Sequence, residues 1–277
     1  MLKEKFDLSG KVALVVGGRG YLGQHFCTAL NELGAKIFSA DLPTLSLAAR
    51  KGKQTGTNDV IRQFDVDVTN PESVNQLIGK IIAETFGIDI LIYSVTSKPD
   101  DCYAPFTECS LDGWRKMFQA EMDGLFLVTQ SVGKHMEAAQ KGNIILMSSM
   151  YGVVGNDQRI YRDANLSELY TDVAIEKGKR LFSHAAYPAV KGAVISLTRY
   201  LAAYWEGQNI RVNCISPGGV KHPGENDAFV ERYNYRVPLG RKAEIEEISG
   251  AVAFLSSDAS SYINGHNLIV DGGWTAW

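Results

Sequence analysis

Tyr187 and Lys191 stand four residues apart in Tyr187-Pro188-Ala189-Val190-Lys191, inside a segment of helical period. Four residues make about one helical turn, so both side chains project from one face. An ammonium held beside a phenol stabilises the phenolate, and such a pair can act as a general acid or base. Ser149 follows the apolar run Asn143 to Met147, which reads as a buried strand. A hydroxyl at the carboxyl end of that strand can orient a carbonyl or alcohol oxygen, because ligands of open α/β sheets bind along this edge. A Tyr and a Lys at this spacing also fit an ordinary surface pair, so the surrounding elements decide between the two readings.

A second constellation lies near the start of the chain. Gly17-Gly18-Arg19-Gly20-Tyr21-Leu22-Gly23 sits between a β-rich run and a helical one, where backbone amides at a helix N-terminus can hold a pyrophosphate. Small residues suit that place because a Cβ would keep the backbone from the phosphate or from the neighbouring strand; a plain tight turn is the competing explanation. Asp41, at the end of the next strand, supplies an acceptor for a ribose 2′-hydroxyl. Loop and carboxylate together point to a dinucleotide. A carboxylate at Asp41 repels the 2′-phosphate of NADP and so favours NAD, whereas Arg19 pulls the other way; Asp41 carries more weight. Asp67, with Val68 beside it after the third strand, offers an acceptor to an adenine amino group, or simply opens a turn before a helix.

The elements that must position these residues alternate along the chain. Strands are expected at Lys11 to Val16, Lys36 to Ala40, Val60 to Asp65, Ile88 to Tyr93, Asn143 to Met147, Ile210 to Ile215 and His266 to Val270, each a short β-rich run. Helices are expected from Tyr21 to Leu33, from near Pro71, through Ser110 to Ala139, from about Pro188 to Trp205, and from Glu244 to Leu255. A loop is expected from the sixth strand to about Gly240. Strands covered by helices on both faces and joined by crossovers make a doubly wound parallel sheet, a Rossmann-like α/β fold. With no repeat, low-complexity tract or linker, 277 residues read as a single domain, 1–277.

Composition narrows the partners. Twenty-eight basic and 31 acidic residues leave a net charge of −3, without a basic stripe, so nucleic acid is not an expected partner. The longest apolar runs fall far short of a membrane helix and the mean hydropathy is −0.09. No export signal is readable at the N-terminus. Cys27, Cys102, Cys109 and Cys214 are scattered without a CxxC pair, usage that suits a reducing cytoplasm and no zinc site. His25, His135 and His266 lack metal-ligand spacing, and no metal is expected.

Taken in order, these motifs resemble the short-chain dehydrogenase/reductase family, and the resemblance runs from about Gly10 to Trp274. The glycine loop, Ser149-Met150-Tyr151-Gly152 and the YxxxK pair match, as do Ile210-Arg211-Val212-Asn213-Cys214-Ile215-Ser216-Pro217-Gly218-Gly219-Val220 and Val270-Asp271-Gly272-Gly273. The resemblance implies that Tyr187 transfers a proton, that Lys191 holds the nicotinamide ribose and favours the Tyr187 phenolate, and that Ser149 positions the reacting oxygen while hydride moves to or from NAD. It implies nicotinamide-side contacts from Pro217, Gly218 and Val220, and a homotetramer packed through the helices near 110 to 139 and 188 to 205. Tyr233 to Arg241 and Asp271 to Trp277 are similar to members acting on sugars or sugar acids, gluconate dehydrogenases and bacterial surface-sugar and flagellin-glycosylation enzymes among them. The expected activity is the interconversion of an alcohol and a ketone on a polar, sugar-like small molecule.

Several positions depart from the family pattern. Tyr21 stands where a second loop glycine is usual, giving the GxxGxxG spacing of the branch that contains sugar epimerases. Tyr93-Ser94-Val95-Thr96 replaces Asn-Asn-Ala-Gly, so larger side chains must alter the floor beneath the cofactor. Glu121 occupies the place of a helix asparagine. We expect Glu121 to pair with Lys191, directly or through water, raising the lysine pKa while partly cancelling its help to Tyr187; an ordinary surface carboxylate is the alternative. Thirty-eight positions separate Ser149 from Tyr187, so 156–184 reads as an insertion beside the site. Arg159 is the favoured anion contact there, among Tyr161, Arg162, Asp163, Glu168, Tyr170, Lys177, Lys179, Arg180 and His184. Residues 219–240 read as a substrate loop or lid that includes His222, with Phe229, Tyr233 and Tyr235 available to dock it. Two other readings stay open: an epimerase or dehydratase that uses NAD without net turnover, and a catalytically silent dinucleotide sensor.

Overall fold

The computed structural model describes residues 2–43, 61–162, 164 and 179–277. Its strands are β1 (Val12–Val16), β2 (Lys36–Asp41), β3 (Ile61–Asp65), β4 (Ile90–Tyr93), β5 (Gly142–Met147), β6 (Ile210–Pro217) and β7 (Asn267–Val270). They form one sheet in the order β3-β2-β1-β4-β5-β6-β7, and each neighbouring pair is parallel. The expected strands are all present with bounds shifted by one or two residues; Val60 lies outside the described residues. The helices are α1 (Tyr21–Glu32), α2 (Pro71–Thr85), α3 (Leu111–Phe118), α4 (Gly124–Ala139), α5 (Ala186–Tyr204), α6 (Asp227–Arg236) and α7 (Ile245–Ser256).

The strands have so little polar content because both faces of the sheet are covered. Along β1, Leu14 and Val16 join a core shared with Val74, Ile78, Leu125 and Val128, while Ala13 and Val15 point into a second core with Phe26, Leu30, Ile248 and Val252. That period-2 alternation between two apolar layers is the signature of a strand buried on both sides. Leu14 is fully buried, and its replacement by Ala would cost about 2–5 kcal/mol.

The strand order reverses between β1 and β4, which leaves a crevice at their carboxyl ends. A third, smaller cluster roofs that end of the sheet: Met150, Tyr151, Ile160, Leu181, Phe229, Tyr233, Val237 and Trp274. It joins residues from both ends of segment 156–184, Ile160 and Leu181, to α6 and to the C-terminal turn. The region expected as a loop up to Gly240 therefore contains a helix. Asn226 caps α6 by accepting from the Phe229 amide, and only Phe229 and Tyr233 of its ten residues are buried, so its sequence carries little apolar period.

The expected helix over 110–139 is also interrupted. Between α3 and α4, residues Gln119–Asp123 form a π-turn in which the Gly124 amide donates to Gln119 O. The Ala120 carbonyl instead accepts the Tyr93 hydroxyl at 2.6 Å. Gly124 is small for the same reason, since a Cβ there would meet that hydroxyl at 2.6 Å and Val68 at 2.7 Å. A side chain inserted from β4 thus takes a carbonyl out of the helical ladder.

Candidate active site

Ser149 ends the crossover from β5 into a short turn, Met150–Gly152. Its Oγ accepts from the Tyr151 amide at 3.2 Å. The preceding residue locks the arrangement, because Ser148 Oγ donates to the Lys191 carbonyl at 2.8 Å and so ties α5 to the sheet edge. Gly152 allows the close approach: a Cβ there would lie 2.7 Å from the Lys191 backbone. Ser148 and Gly152 were legible in the sequence only as neighbours of Ser149, since their work is done across 40 residues of chain.

On α5 the two expected side chains do share a face. Lys191 Nζ lies 5.5 Å from the centre of the Tyr187 ring, and Tyr187 lines the same cavity as Ser149. Lys191 is buried, donates to Met147 O at 3.2 Å and lies 2.7 Å from Glu121 Oε2. Glu121 is itself only 1% exposed, so the surface alternative does not hold. Its other oxygen accepts from Thr96 Oγ1 at 2.9 Å and from the Ser97 amide at 3.3 Å. Burial alone would push the Lys191 ammonium down, but the Glu121 carboxylate, with Tyr187 beside it, outweighs burial and holds the lysine above its ordinary value. Two departures from the family pattern therefore meet in space. The altered segment at the end of β4 supplies Tyr93, whose hydroxyl bonds the Ala120 carbonyl in the helical interruption, and the chain that follows supplies Thr96 and Ser97, which hold Glu121 against Lys191.

At the other end of the crevice, Gly17 has a φ of +83°, and a Cβ there would lie 2.4 Å from Ser94 O. Gly23 is tighter still, at 2.0 Å from Gly17 O. The loop is thus packed between β1, the Ser94 backbone and the first turn of α1. Gly20 caps α1 without a side-chain bond, so amides around Tyr21, Leu22 and Gly23 face the crevice end of the helix, a place suited to an anion. Asp41 ends β2 beside this loop and accepts from the Arg19 and Leu42 amides at 3.0 and 2.8 Å. Burial raises its carboxyl above the usual range against those two bonds. The Arg19 guanidinium is spent elsewhere, on Asp65 at 2.7 Å, Gln63, Leu42 O and Phe64 O. Asp67 bonds Thr69 through one oxygen, as a turn-opening aspartate does. Val68 is buried against Gly124, and Tyr93 points beneath the floor toward Ala120. These residues fit a dinucleotide: a packed glycine loop at a helix N-terminus, with a carboxylate at the next strand end.

The loop after β6 closes over the crevice. Pro217 ends β6, the Gly218 amide bonds Val270 O at 2.9 Å, and Val220 bridges to Ala243. Tyr21 reaches across to this loop, donating to Lys221 O at 2.6 Å with its ring 4.3 Å from the His222 ring. The cavity between these elements, about 400 Å³, is lined by Ser149, Tyr187, Tyr151, His184, Glu225 and Lys242 among others. Glu225 and Lys242 form a buried ion pair that sequence reasoning missed, because 17 residues and no motif separate them. Arg159, the expected anion contact, pairs instead with Asp157 at 2.7 Å, is largely exposed and does not line the cavity. From the insertion Tyr161, Ser183 and His184 do. Asp163, Glu168, Tyr170 and Lys177 lie outside the described residues.

The comparisons with known proteins meet this geometry. Residues 11–161 match the family described as short chain dehydrogenase, and 171–275 match that described as enoyl-(acyl carrier protein) reductase. The chain belongs to the short-chain dehydrogenase/reductase family. It is 34% identical to the D-threitol dehydrogenase of Mycolicibacterium smegmatis, over 98% of this chain and 95% of that one. The crystal structure of a short chain dehydrogenase from Leptospira borgpetersenii with bound NAD+ superposes with a TM-score of 0.81 at 27% identity, covering 99% of this chain and 96% of that one. A gluconate 5-dehydrogenase from Burkholderia cenocepacia in complex with NADP and tartrate gives 0.79 at 28%, covering both chains fully. The protein is thus an NAD(P)-dependent oxidoreductase that interconverts an alcohol and a ketone.

Proposed function

We propose that the protein oxidises or forms a secondary hydroxyl on a sugar-like molecule, with Ser149, Tyr187 and Lys191 as the catalytic set. The observation that carries this is the convergence of Ser149 and Tyr187 on one cavity with the buried Lys191 ammonium 5.5 Å from the Tyr187 ring. Bound NAD(P) would supply the hydride acceptor or donor. Ser149 Oγ then orients the reacting oxygen, and the Tyr187 phenolate takes its proton during oxidation, while the Tyr187 phenol gives the proton back during reduction. Lys191 stabilises the phenolate between those steps. The cofactor would be held by Gly17, Gly20, Tyr21, Leu22 and Gly23 at its pyrophosphate, Asp41 at the ribose and Asp67 or Val68 at the adenine. Ser94, Pro217, Gly218 and Val220 would sit toward the nicotinamide.

We infer a preference for NAD over NADP, supported by the buried Asp41 carboxylate and by an Arg19 side chain already engaged with Asp65. The names of the relatives, threitol and gluconate dehydrogenases, support a sugar alcohol or sugar acid as substrate. Copies would associate into a homotetramer through α4 and α5, which leave Phe126, Tyr200 and Tyr204 exposed along a shared groove. The four free cysteines suit a cytoplasmic setting. Absorbance of the reduced nicotinamide, followed with NAD or NADP over a panel of polyols and sugar acids, tests this reading. Net reduction with kcat/KM at least roughly tenfold higher for NAD supports it. Substrate conversion without net reduction would replace it with the epimerase or dehydratase reading, and a higher kcat/KM with NADP would remove the cofactor preference.

A further inference from the structure

We propose that the cavity beside Tyr187 selects an uncharged polyhydroxylated substrate against one bearing a carboxylate, and that Glu225, Lys242 and His184 are the residues that make the selection. The proposal rests on the dehydrogenase reading above and adds the substrate's charge class to it. At about 400 Å³, the cavity is within the size range of small-molecule sites.

The first support is the state of its buried cation. Lys242 is 5% exposed and its Nζ is paired with the Glu225 carboxylate. Its ammonium also stands 5.4 Å from the Phe229 ring and 5.3 Å from the Tyr233 ring. Glu225 is fixed in turn by the His222 amide, 3.3 Å from its second oxygen. A substrate carboxylate could reach Lys242 only by standing against Glu225 or displacing it, which leaves a buried charge without its partner. A hydroxyl meets no such barrier, since it can donate to Glu225 and accept from Lys242 while the pair stays intact.

The second support is on the opposite wall. His184 is buried and its Nδ1 accepts from the Ala186 amide at 3.1 Å, so the ring proton sits on Nε2. Burial holds this imidazole below its ordinary value despite the nearby Asp101, which favours the neutral ring. Nε2 lies 3.9 Å from Asp101 Oδ1, beyond hydrogen-bond reach, and neither atom has a hydrogen-bond partner among the described residues. Unmade buried bonds of this kind are costly. A hydroxyl accepting from Nε2 would satisfy the imidazole, and the adjacent Asp101 carboxylate would repel an anion at the same place. With Arg159 turned out to Asp157, none of the described arginines of this segment, Arg162 and Arg180 included, lines the cavity, and the cavity's second lining lysine, Lys98, is already engaged by another group.

The test compares polyols of four to six carbons with the aldonates of matching length, using the full chain and NAD. We expect kcat/KM for the polyols to exceed that for the aldonates by roughly a hundredfold. Glu225→Gln keeps the volume and the acceptor for the His222 amide but removes the charge, so it should narrow that ratio by roughly tenfold or more through a lower aldonate KM. His184→Ala should raise the polyol KM more than it lowers kcat. Aldonates turned over as well as polyols, or a ratio unmoved by Glu225→Gln, would overturn the proposal. A second readout needs no turnover: the thermal shift of the NADH-loaded protein. Stabilisation by polyols and not aldonates, in a protein that reduces no NAD, would sustain the selectivity while the dehydrogenase reading fails. Equal or reversed shifts would defeat the selectivity itself.

Discussion

Glu121 is the residue through which we expect this chain to retune the family's chemistry. Buried 2.7 Å from Lys191 and fastened by Thr96 and Ser97, it is a positioning residue acting through the lysine. A lysine held above its ordinary value in the folded protein contributes stability that is complete below the unfolded value and lost as pH rises through the folded one. Glu121→Gln removes the countercharge, and burial then lowers the Lys191 pKa. The alkaline limb of kcat/KM against pH should therefore move to lower pH. A profile that stays in place would show that Glu121 has no hold on the lysine. The sequence disclosed this pair as an expectation, because both residues fell at recognisable places in an ordered set of motifs. It disclosed nothing of Glu225 and Lys242, whose meeting depends on how the loop after β6 folds back. Arg159 was misread for a related reason: a charged residue in an insertion has a nearer partner, Asp157, two positions away.

The strands and most helices were legible because burial on both faces of the sheet writes continuous apolar runs into the chain. The interruption of the helix over 110–139 was not, since its cause is a hydroxyl on β4 rather than a breaker within the helix. Nor was α6, whose sequence buries two residues in ten. The most telling contact between elements is Tyr21, at the start of α1, fastened to Lys221 and His222 in the loop after β6. With the dinucleotide placed as proposed above, its release would wait for this clasp to open. Tyr21→Phe removes one hydrogen bond worth about 1 kcal/mol, or roughly fivefold. Stopped-flow displacement should show NADH leaving faster by about that factor. An unchanged or slower release would mean that the loop is held by other contacts.

Across the whole molecule, the parallel sheet with its reversal between β1 and β4 brings the two constellations to one edge, though more than 140 residues separate Gly23 from Tyr187. The roof that closes this edge draws on both flanks of 156–184, on α6 and on Trp274 together, so the proposed substrate selection would rest on segments distant in sequence. If α4 and α5 carry the association proposed here, sedimentation velocity should give a tetramer, and Tyr200→Glu with Tyr204→Glu should yield smaller species. A wild-type monomer would dismiss those faces as an interface. The most direct test of the account is Tyr187→Phe, measured for turnover and for NADH binding by fluorescence titration. The account predicts that NADH affinity stays within a few-fold while kcat falls by roughly 10²–10⁴, as expected for loss of a proton-transfer group. A Phe variant that turns over at the wild-type rate would contradict it.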